Sequence, residues 1–152
     1  MALPNIFSEE ISSGLVQRIH RLSPGSSPQW GKMNVGQMLA HCNVMFEQEF
    51  TDQYPKPGFL LGFMLKTFIK KSVVSEQPFK RNAPTSPAYR IHDARDFETE
   101  KNRLIAHLSK LLGLGKTHFD NRQSHSFGVL TLTEWNNLFY KHLDHHLVQF
   151  GV

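Results

Sequence analysis

Three histidines are crowded into one short stretch of the chain, YKHLDHHLVQFGV at residues 140–152. They are His142, His145 and His146, from a total of nine histidines in 152 residues. An imidazole can ligate a metal ion, exchange a proton near neutral pH, or simply occupy a polar helix face. Which of these applies depends on where each ring points, and therefore on the element that carries it.

Helical geometry separates the three rings. At about 100° per residue, His142 and His146 lie one turn apart on the apolar face of a helix, whereas His145 lies at the border of that face. The apolar face is defined by Trp135, Leu138, Phe139, Leu143 and Phe150. The sequence therefore predicts that two rings point into the protein and that one lies at its edge.

Two interpretations fit a pair of inward histidines. A metal ion can bind both neutral rings, because histidines at positions i and i+4 of a helix can share one ion. Alternatively, the rings are core-edge histidines that bond to water or to backbone carbonyls. His-x-x-x-His is a weak signal without a third ligand. Among the other histidines, His41 on the flank of a predicted helix and His20 on another are equally eligible by periodicity.

The elements that must position these residues are helices. Helix starts are predicted at Ser8, at Asn34 with Gln37 in a capping box, near Ala94, and at Thr131 with Glu134 in a second capping box. The third helix is expected to end at Gly113, and the fourth near Phe150. No run alternates apolar and polar residues long enough to predict a strand.

A long connection separates the second and third predicted helices. GFLLGFMLKTFIKK at residues 58–71 predicts a short buried helix, and the prolines of SEQPFKRNAPTSPAYRIH at residues 75–92 exclude regular structure there. The sequence thus predicts an all-α fold, a four-helix bundle with a long connection, as one domain over residues 1–152.

Composition narrows the class of protein. The formal net charge is +4, but the basic residues are dispersed rather than interleaved with aromatic ones, so nucleic acid is not expected as a partner. Cys42 is the single cysteine, which excludes an internal disulfide. The most apolar run is shorter than the roughly 20 residues that span a bilayer, and the first residues lack the pattern of a signal peptide. We expect a cytoplasmic protein without stable membrane association.

Three motifs carry a resemblance to a known family. They are WGKMNVGQMLAHC at residues 30–42, PFKRNAPTSPAYRIHDARDFETEKNRL at residues 78–104 and LTLTEWNNLFYKHLDHHLVQFG at residues 130–151. Together they resemble a branch of the DinB-like (DinB/YfiT) superfamily that is catalogued only as a domain of unknown function. Members are four-helix bundles with a long connection between the second and third helices, and many hold a divalent metal on three histidines.

The resemblance implies a ligand set for this chain. One family ligand lies on the second helix and two lie in a His-x-x-x-His on the last, which matches His41, His142 and His146. His145 occupies the adjacent-histidine position that often precedes the final ligand. The family sequence His-Arg-Gly-Gln is HLVQ here, which keeps Gln149 and loses the arginine and glycine. His145 and Gln149 are thus expected to contact the ligand histidines without binding the ion themselves.

A metal on three histidines keeps a coordination position open, where a water or a thiol becomes acidic. The resemblance therefore implies a metal-dependent enzyme acting on a small molecule. It would be a thiol-dependent transferase or isomerase, or a hydrolase, with zinc, nickel or iron as the ion. The alternative is a non-catalytic bundle for binding or oligomerisation, with a structural metal or none.

Other groups on the same helices are candidate helpers. Glu47, Glu49, Tyr140 and His145 are candidates to which the sequence assigns no role, and Cys42 is expected to be a packed, inert thiol. The basic stretch is interpreted as an anion-binding rim or as a solvated helix face; it contains Lys66, Lys70, Lys71, Lys80 and Arg81. The apolar residues before it are expected to seal the bundle or a homodimer contact.

Overall fold

The computed structural model describes residues 2–152 and shows a mostly helical protein, which confirms the all-α prediction. Six α-helices follow in chain order: α1 (Glu9–His20), α2 (Val35–Phe50), α3 (Phe59–Met64), α4 (Lys70–Val74), α5 (Phe97–Phe119) and α6 (Leu132–Gln149). A π-helical turn, Leu65–Ile69, joins α3 to α4, and a 3-10 turn, Pro87–Tyr89, lies in the proline-rich loop. Within the described residues, strand structure is confined to one antiparallel hairpin of two short strands, β1 (Arg122–Gln123) and β2 (Val129–Leu130).

Side-chain caps begin three of the long helices where the sequence predicts them. The Ser8 side chain accepts a hydrogen bond from a backbone N–H of the first turn of α1. Asn34 and Gln37 form a reciprocal capping box at the start of α2, as Thr131 and Glu134 do at α6. Each box satisfies backbone donors that the first helical turn leaves unpaired. The starts predicted for these helices are confirmed.

Helix α5 differs from its predicted bounds at both ends. It begins at Phe97 rather than near Ala94, because the Asp96 carboxylate caps it by accepting from the Thr99 N–H at 2.8 Å. It also continues through Gly113, its predicted end, as far as Phe119. The helical path is interrupted instead at Gly115, which has a φ of 71° in the left-handed region.

The core lies among the four longest helices. Phe46 of α2 stacks on Phe139 of α6 with ring centroids 5.1 Å apart, and Phe139 stacks on Trp135 at 5.4 Å. Every residue of α2 from Val35 to Glu47 is buried except Gln37, so this helix is covered on all sides rather than on one stripe. That burial places even the flank of α2 inside the protein.

The accessory segment, residues 59–74, is helical as predicted but largely exposed, so the predicted burial of residues 58–71 is wrong. Phe59 is 93% exposed and Phe68 is 68% exposed. Of this segment, Val74 alone is buried in the core. Within the described part of the chain, none of the helices combines the length and the apolar character that crossing a bilayer requires.

Helix α6 anchors the end of the accessory segment. The Lys141 ammonium donates to the carbonyl oxygens of Ser72 at 2.9 Å and Ser75 at 2.6 Å, and the Asn137 amide donates to the Val74 carbonyl at 2.9 Å. These carbonyls belong to the last turn of α4, whose acceptors have no partner further along the helix. The segment is thereby held next to the part of α6 that carries His142.

Candidate metal centre

Three histidines converge at the seam between α2 and α6. One nitrogen from each of His41, His142 and His146 lies within 4.8 Å of the others, in a geometry that can hold a metal ion. The Nε2 atoms of His41 and His142 are 2.9 Å apart. The ring centroid of His146 lies 4.5 Å from that of His41 and 4.8 Å from that of His142. The structure thus brings together the three residues that the resemblance implies.

The backbone of the proline-rich loop fixes the ring of His41. Its Nδ1 lies 2.8 Å from the carbonyl oxygen of Tyr89. A carbonyl only accepts, so Nδ1 carries the proton, and in the neutral ring Nε2 carries a bare lone pair. That lone pair is the one directed at the other two histidines.

A relay of two hydrogen bonds fixes His146 in the same way. The Gln149 amide nitrogen donates to the Trp30 carbonyl at 2.7 Å, which orients the side-chain oxygen of Gln149 toward His146. That oxygen accepts from His146 Nδ1 at 2.8 Å, so Nε2 of this ring is also bare. Gly31 allows the close approach: its φ is +84°, and a Cβ there would lie 2.7 Å from the Gln149 amide nitrogen.

His142 completes the set and is the least satisfied of the three. Its Nδ1 is buried and has no hydrogen-bond partner among the described residues. Its Nε2 lies 2.9 Å from the bare Nε2 of His41, so without a metal the His142 Nε2 carries the proton that joins the two rings, and its Nδ1 is left without a donor. A divalent cation would replace that one proton and accept a lone pair from each of the three rings.

Burial keeps these rings in the form that binds metal. It lowers the pKa of His41, lowers that of His142 well below its usual value, and lowers that of His146 to about 3. The cause is desolvation of the charged ring, and the neighbouring imidazoles add to it for His142 and His146. All three are neutral near pH 7, as metal ligation requires.

The three histidines lie in the wall of a large cleft. Its volume is about 920 Å³, and it extends between α2, α6, the accessory segment and the proline-rich loop. No Asp or Glu from the described ranges lines it, and no fourth His, Cys, Asp or Glu joins the three histidines there. The cluster therefore has a side that faces the cleft and that no further protein ligand closes.

His145 lies beside this centre and does not belong to it. Its half-buried ring contacts Trp30 and Phe79 edge-on at centroid distances of 5.7 Å each. It lines the cleft, and burial lowers its pKa. The border position predicted for His145 agrees with this placement, while Gln149 lies directly behind His146.

The other candidate helpers lie away from the cleft. Glu47 pairs with Arg103 on α5 and accepts from the Tyr54 hydroxyl at 3.0 Å. Glu49 accepts from the backbone N–H of His125, and burial raises its pKa to about 7. Tyr140 lines a separate pocket of about 220 Å³, which His145 also lines. None of these three side chains lines the cleft that contains the histidines.

Cys42 is a packed thiol, as predicted. It is 1% exposed, its sulfur lies 3.8 Å from that of Met38, and burial raises its pKa. An uncharged thiol among apolar side chains is a poor nucleophile and a poor ligand.

The basic stretch divides into cations with different surroundings. Lys70 pairs with Glu134 at 2.9 Å, and the Arg81 guanidinium lies 4.3 Å over the Trp30 ring. Of the five basic residues from Lys66 to Arg81, Lys80 alone lines the cleft. The stretch as a whole is therefore not a rim of the site.

Sequence reasoning missed the residues of the loops that complete the site. Tyr89 contributes a backbone carbonyl, and Trp30 contributes both a carbonyl and a ring. A backbone acceptor leaves no mark in residue type. The only sequence signal was that Trp30, Phe79 and Tyr89 are large aromatic residues in segments without helical periodicity.

Comparison with known proteins identifies a family for almost the whole chain. A family model described as "Protein of unknown function (DUF1569)" matches residues 11–151. No curated protein and no solved structure matches the chain. The matched range begins within α1, ends just after α6 and contains all three converging histidines.

Proposed function

Because the chain belongs to the DUF1569 family, an uncharacterised domain, we propose its function from the site itself. The protein is a metal-dependent enzyme whose divalent ion is held by His41, His142 and His146. One observation carries this proposal: three neutral imidazoles bring one ring nitrogen each to within 4.8 Å of the others in the wall of a cleft of about 920 Å³.

The chain's own residues have defined tasks in this proposal. His41, His142 and His146 hold the ion, and the Tyr89 carbonyl and Gln149 fix two of the rings with Nε2 toward it. When bound, such an ion supplies a Lewis acid that lowers the pKa of a water or thiol beside it. The reaction class is accordingly a hydrolysis or a thiol-dependent transfer or isomerisation.

The open side of the cluster favours an enzyme over a structural metal site. Structural ions are closed by four protein ligands, whereas catalytic ones keep a position for water or substrate. Within residues 2–152 the cluster contains three histidines and no carboxylate or thiol ligand. His145, half-buried in the cleft wall, is placed to exchange a proton with a molecule bound there.

The relationship to the DinB-like superfamily and the four-helix bundle are part of the same proposal. Helix α2 packs on α5 and α6, and α1 packs on the same two helices. The long connection lies between the second and third of these long helices. This arrangement supports a bundle in which two helices present the histidines to each other.

Metal binding is the first test. Metal-free protein is titrated with zinc and with nickel, and the wild type should bind one ion per chain. His142→Ala should bind none while circular dichroism shows unchanged helicity. His92→Ala is the matched control, because His92 also lines the cleft but lies outside the converging group, and it should bind as the wild type does. Full metal binding by His142→Ala would refute the site.

A second test asks whether the ion has an open position. Cobalt-loaded protein should change its visible spectrum when a small thiol such as 2-mercaptoethanol is added, because the thiol enters the coordination sphere. His142→Ala treated in the same way should show neither the cobalt spectrum nor the change. A cobalt spectrum that neither the thiol nor azide changes would indicate a closed, structural site.

A further inference from the structure

We propose that the cleft takes an organic anion with an apolar body, with its anionic end at the cleft mouth and its reactive end at the histidines. This inference rests on the proposed function, whose substrate class it names. It is carried by the charges that line the cleft, by their lack of partners, and by the apolar surface between them and the histidines.

The full charges that line the cleft are all positive. They are those of Lys32, Lys80 and Arg90, and no carboxylate from the described residues lines the cleft with them. Cations around a concave, largely apolar wall, with no anion among them, focus a positive potential into the space between them. Such a cleft attracts anions and repels cationic ligands.

These three cations are also without carboxylate partners. Within the described part of the chain, Lys32 and Lys80 make no ion pair, and Arg90 donates only to the Thr85 carbonyl, at 3.1 Å. The ion pairs of the structure are made elsewhere, for example between Arg18 and Asp144 at 2.7 Å. The charge at the cleft is therefore available to a ligand.

The body of the cleft is apolar. Leu61, Leu65 and Ile69 of the accessory segment line one wall, and Phe79 and Met45 line others. A ligand that covers these side chains gains roughly 25 cal/mol for each Å² of apolar surface removed from water. The volume of about 920 Å³ suits a molecule considerably larger than a lone carboxylate or phosphate.

The histidines and the cations that line the cleft differ in exposure, which orients the ligand. His41 is 4% and His146 is 7% exposed, whereas Lys32, Lys80 and Arg90 are all exposed. A solvated cation can hold an anion without being desolvated first, while the buried histidines meet the part of the ligand that has left water. The anionic group thus stays at the mouth and the reacting group goes inward.

A matched pair of fluorescent probes tests this inference. Anilinonaphthalene sulfonate is an anion with an aromatic body, and phenylnaphthylamine has nearly the same body without the charge. Metal-free wild-type protein should bind the sulfonate at least tenfold more tightly than it binds the neutral probe. Added salt should weaken only the binding of the sulfonate. The triple variant Lys32→Gln, Lys80→Gln and Arg90→Gln should bind the sulfonate about tenfold more weakly and the neutral probe unchanged.

Two control variants locate the effect. Lys116→Gln removes an exposed cation of α5 that does not line the cleft and should leave both affinities unchanged. Phe59→Ser with Phe68→Ser removes the outer apolar face of the accessory segment, and it should also leave both affinities unchanged. Loss of binding in this double variant would show that the probes bind that outer face, which overturns the inference.

The remaining outcomes are equally decisive. Equal affinity of the wild type for both probes, or a sulfonate affinity that the triple variant does not change, overturns the inference. An equal loss of affinity for both probes in the triple variant also overturns the inference, because the cations would then shape the cleft rather than hold an anion. The probes are used without metal, so failure here is distinct from failure of the metal titration of wild type and His142→Ala.

Discussion

Gln149 sets the tautomer of His146. The Gln149 side-chain oxygen accepts from His146 Nδ1 at 2.8 Å because its amide nitrogen is already committed to the Trp30 carbonyl at 2.7 Å. The consequence is a bare Nε2 that faces His41 and His142. The loop at residue 30 therefore acts on the histidine cluster through one glutamine on the same helix as His146.

Gln149→Met should weaken metal binding about tenfold or more, because groups that orient a ligand histidine typically contribute 10- to 100-fold to affinity, about 1.4 to 2.7 kcal/mol. Competition with a chromophoric chelator measures the affinity. Gln149→Glu is the control, since it keeps an acceptor for His146 and should lose less. Wild-type affinity in Gln149→Met would show that the hydrogen bond to His146 is not needed.

The metal-free protein should lose stability as the pH falls below neutrality. Burial lowers the pKa of His146 to about 3 and that of His107 to about 4. It also lowers the pKa of His142 well below its usual value. In the unfolded chain these rings titrate near pH 6.5, so below about pH 6.5 only the unfolded chain takes up the protons.

The free energy of unfolding should therefore fall by about 1.4 kcal/mol per pH unit for each such histidine, until the folded pKa is reached. Urea denaturation at pH 7, 6 and 5 measures it. His107→Gln should reduce the slope by the share of one histidine. A midpoint that does not change with pH in this window would contradict the depressed pKa values.

Glu49 should have the opposite pH dependence. Its carboxyl accepts from the His125 N–H, but burial raises its pKa to about 7, so its ionisation opposes folding as the pH rises from about 4.5 to 7. Glu49→Gln keeps an acceptor for His125 and removes that charge. We expect it to raise the free energy of unfolding by about 1–2 kcal/mol at pH 8 and by less at pH 5. Equal effects at both pH values would be contrary to this assignment.

Arg103 should be one of the most sensitive positions outside the centre. Its guanidinium contacts the buried carboxylates of Glu47 on α2 and Glu100 on α5. Arg103→Met leaves the buried Glu47 without its cation and Glu100 with Arg95 alone, at 3.4 Å, and should destabilise the fold by about 2–3 kcal/mol in chemical denaturation. Lys101→Met, which breaks the pair with the exposed Glu98, should cost less than about 1 kcal/mol. Similar losses in the two variants would argue against a buried network.

That the protein forms a homodimer stays a prediction, which rests on the exposed apolar residues of the accessory segment. Phe59, Phe63 and Phe68 are 93%, 57% and 68% exposed, and a second copy of the chain would cover such a face. Sedimentation should show a concentration-dependent dimer for the wild type and a monomer for Phe59→Ser with Phe68→Ser. A monomer in both proteins at high concentration would exclude this pairing.

Local chemistry made most helix bounds predictable, and its limits lie in tertiary structure. The capping box of Thr131 and Glu134 requires only neighbours in sequence, so it can be read without the fold. The end of α5 cannot be read in this way, since Gly113 and Gly115 are both eligible as helix ends. The helix passes Gly113 and reaches the buried Phe119.

The site shows the same division. His142 and His146 follow from the periodicity of one helix, because the apolar stripe tells which way they point. The third partner does not, since His41 lies on a flank of α2 that periodicity places at an edge. It is buried because α2 is covered on all sides, and its ring is oriented by the Tyr89 carbonyl, to which no residue pattern points.

The separation of the converging histidines in sequence has a consequence for the order of folding. His41 and His142 are 101 residues apart, whereas each helix that carries them forms through contacts four residues apart. Helices form in about a microsecond, but contacts so distant in sequence wait for slow loop closure and docking. During refolding, helicity should therefore return before any capacity to bind zinc, and the lag between the two signals times the docking of α6 on α2.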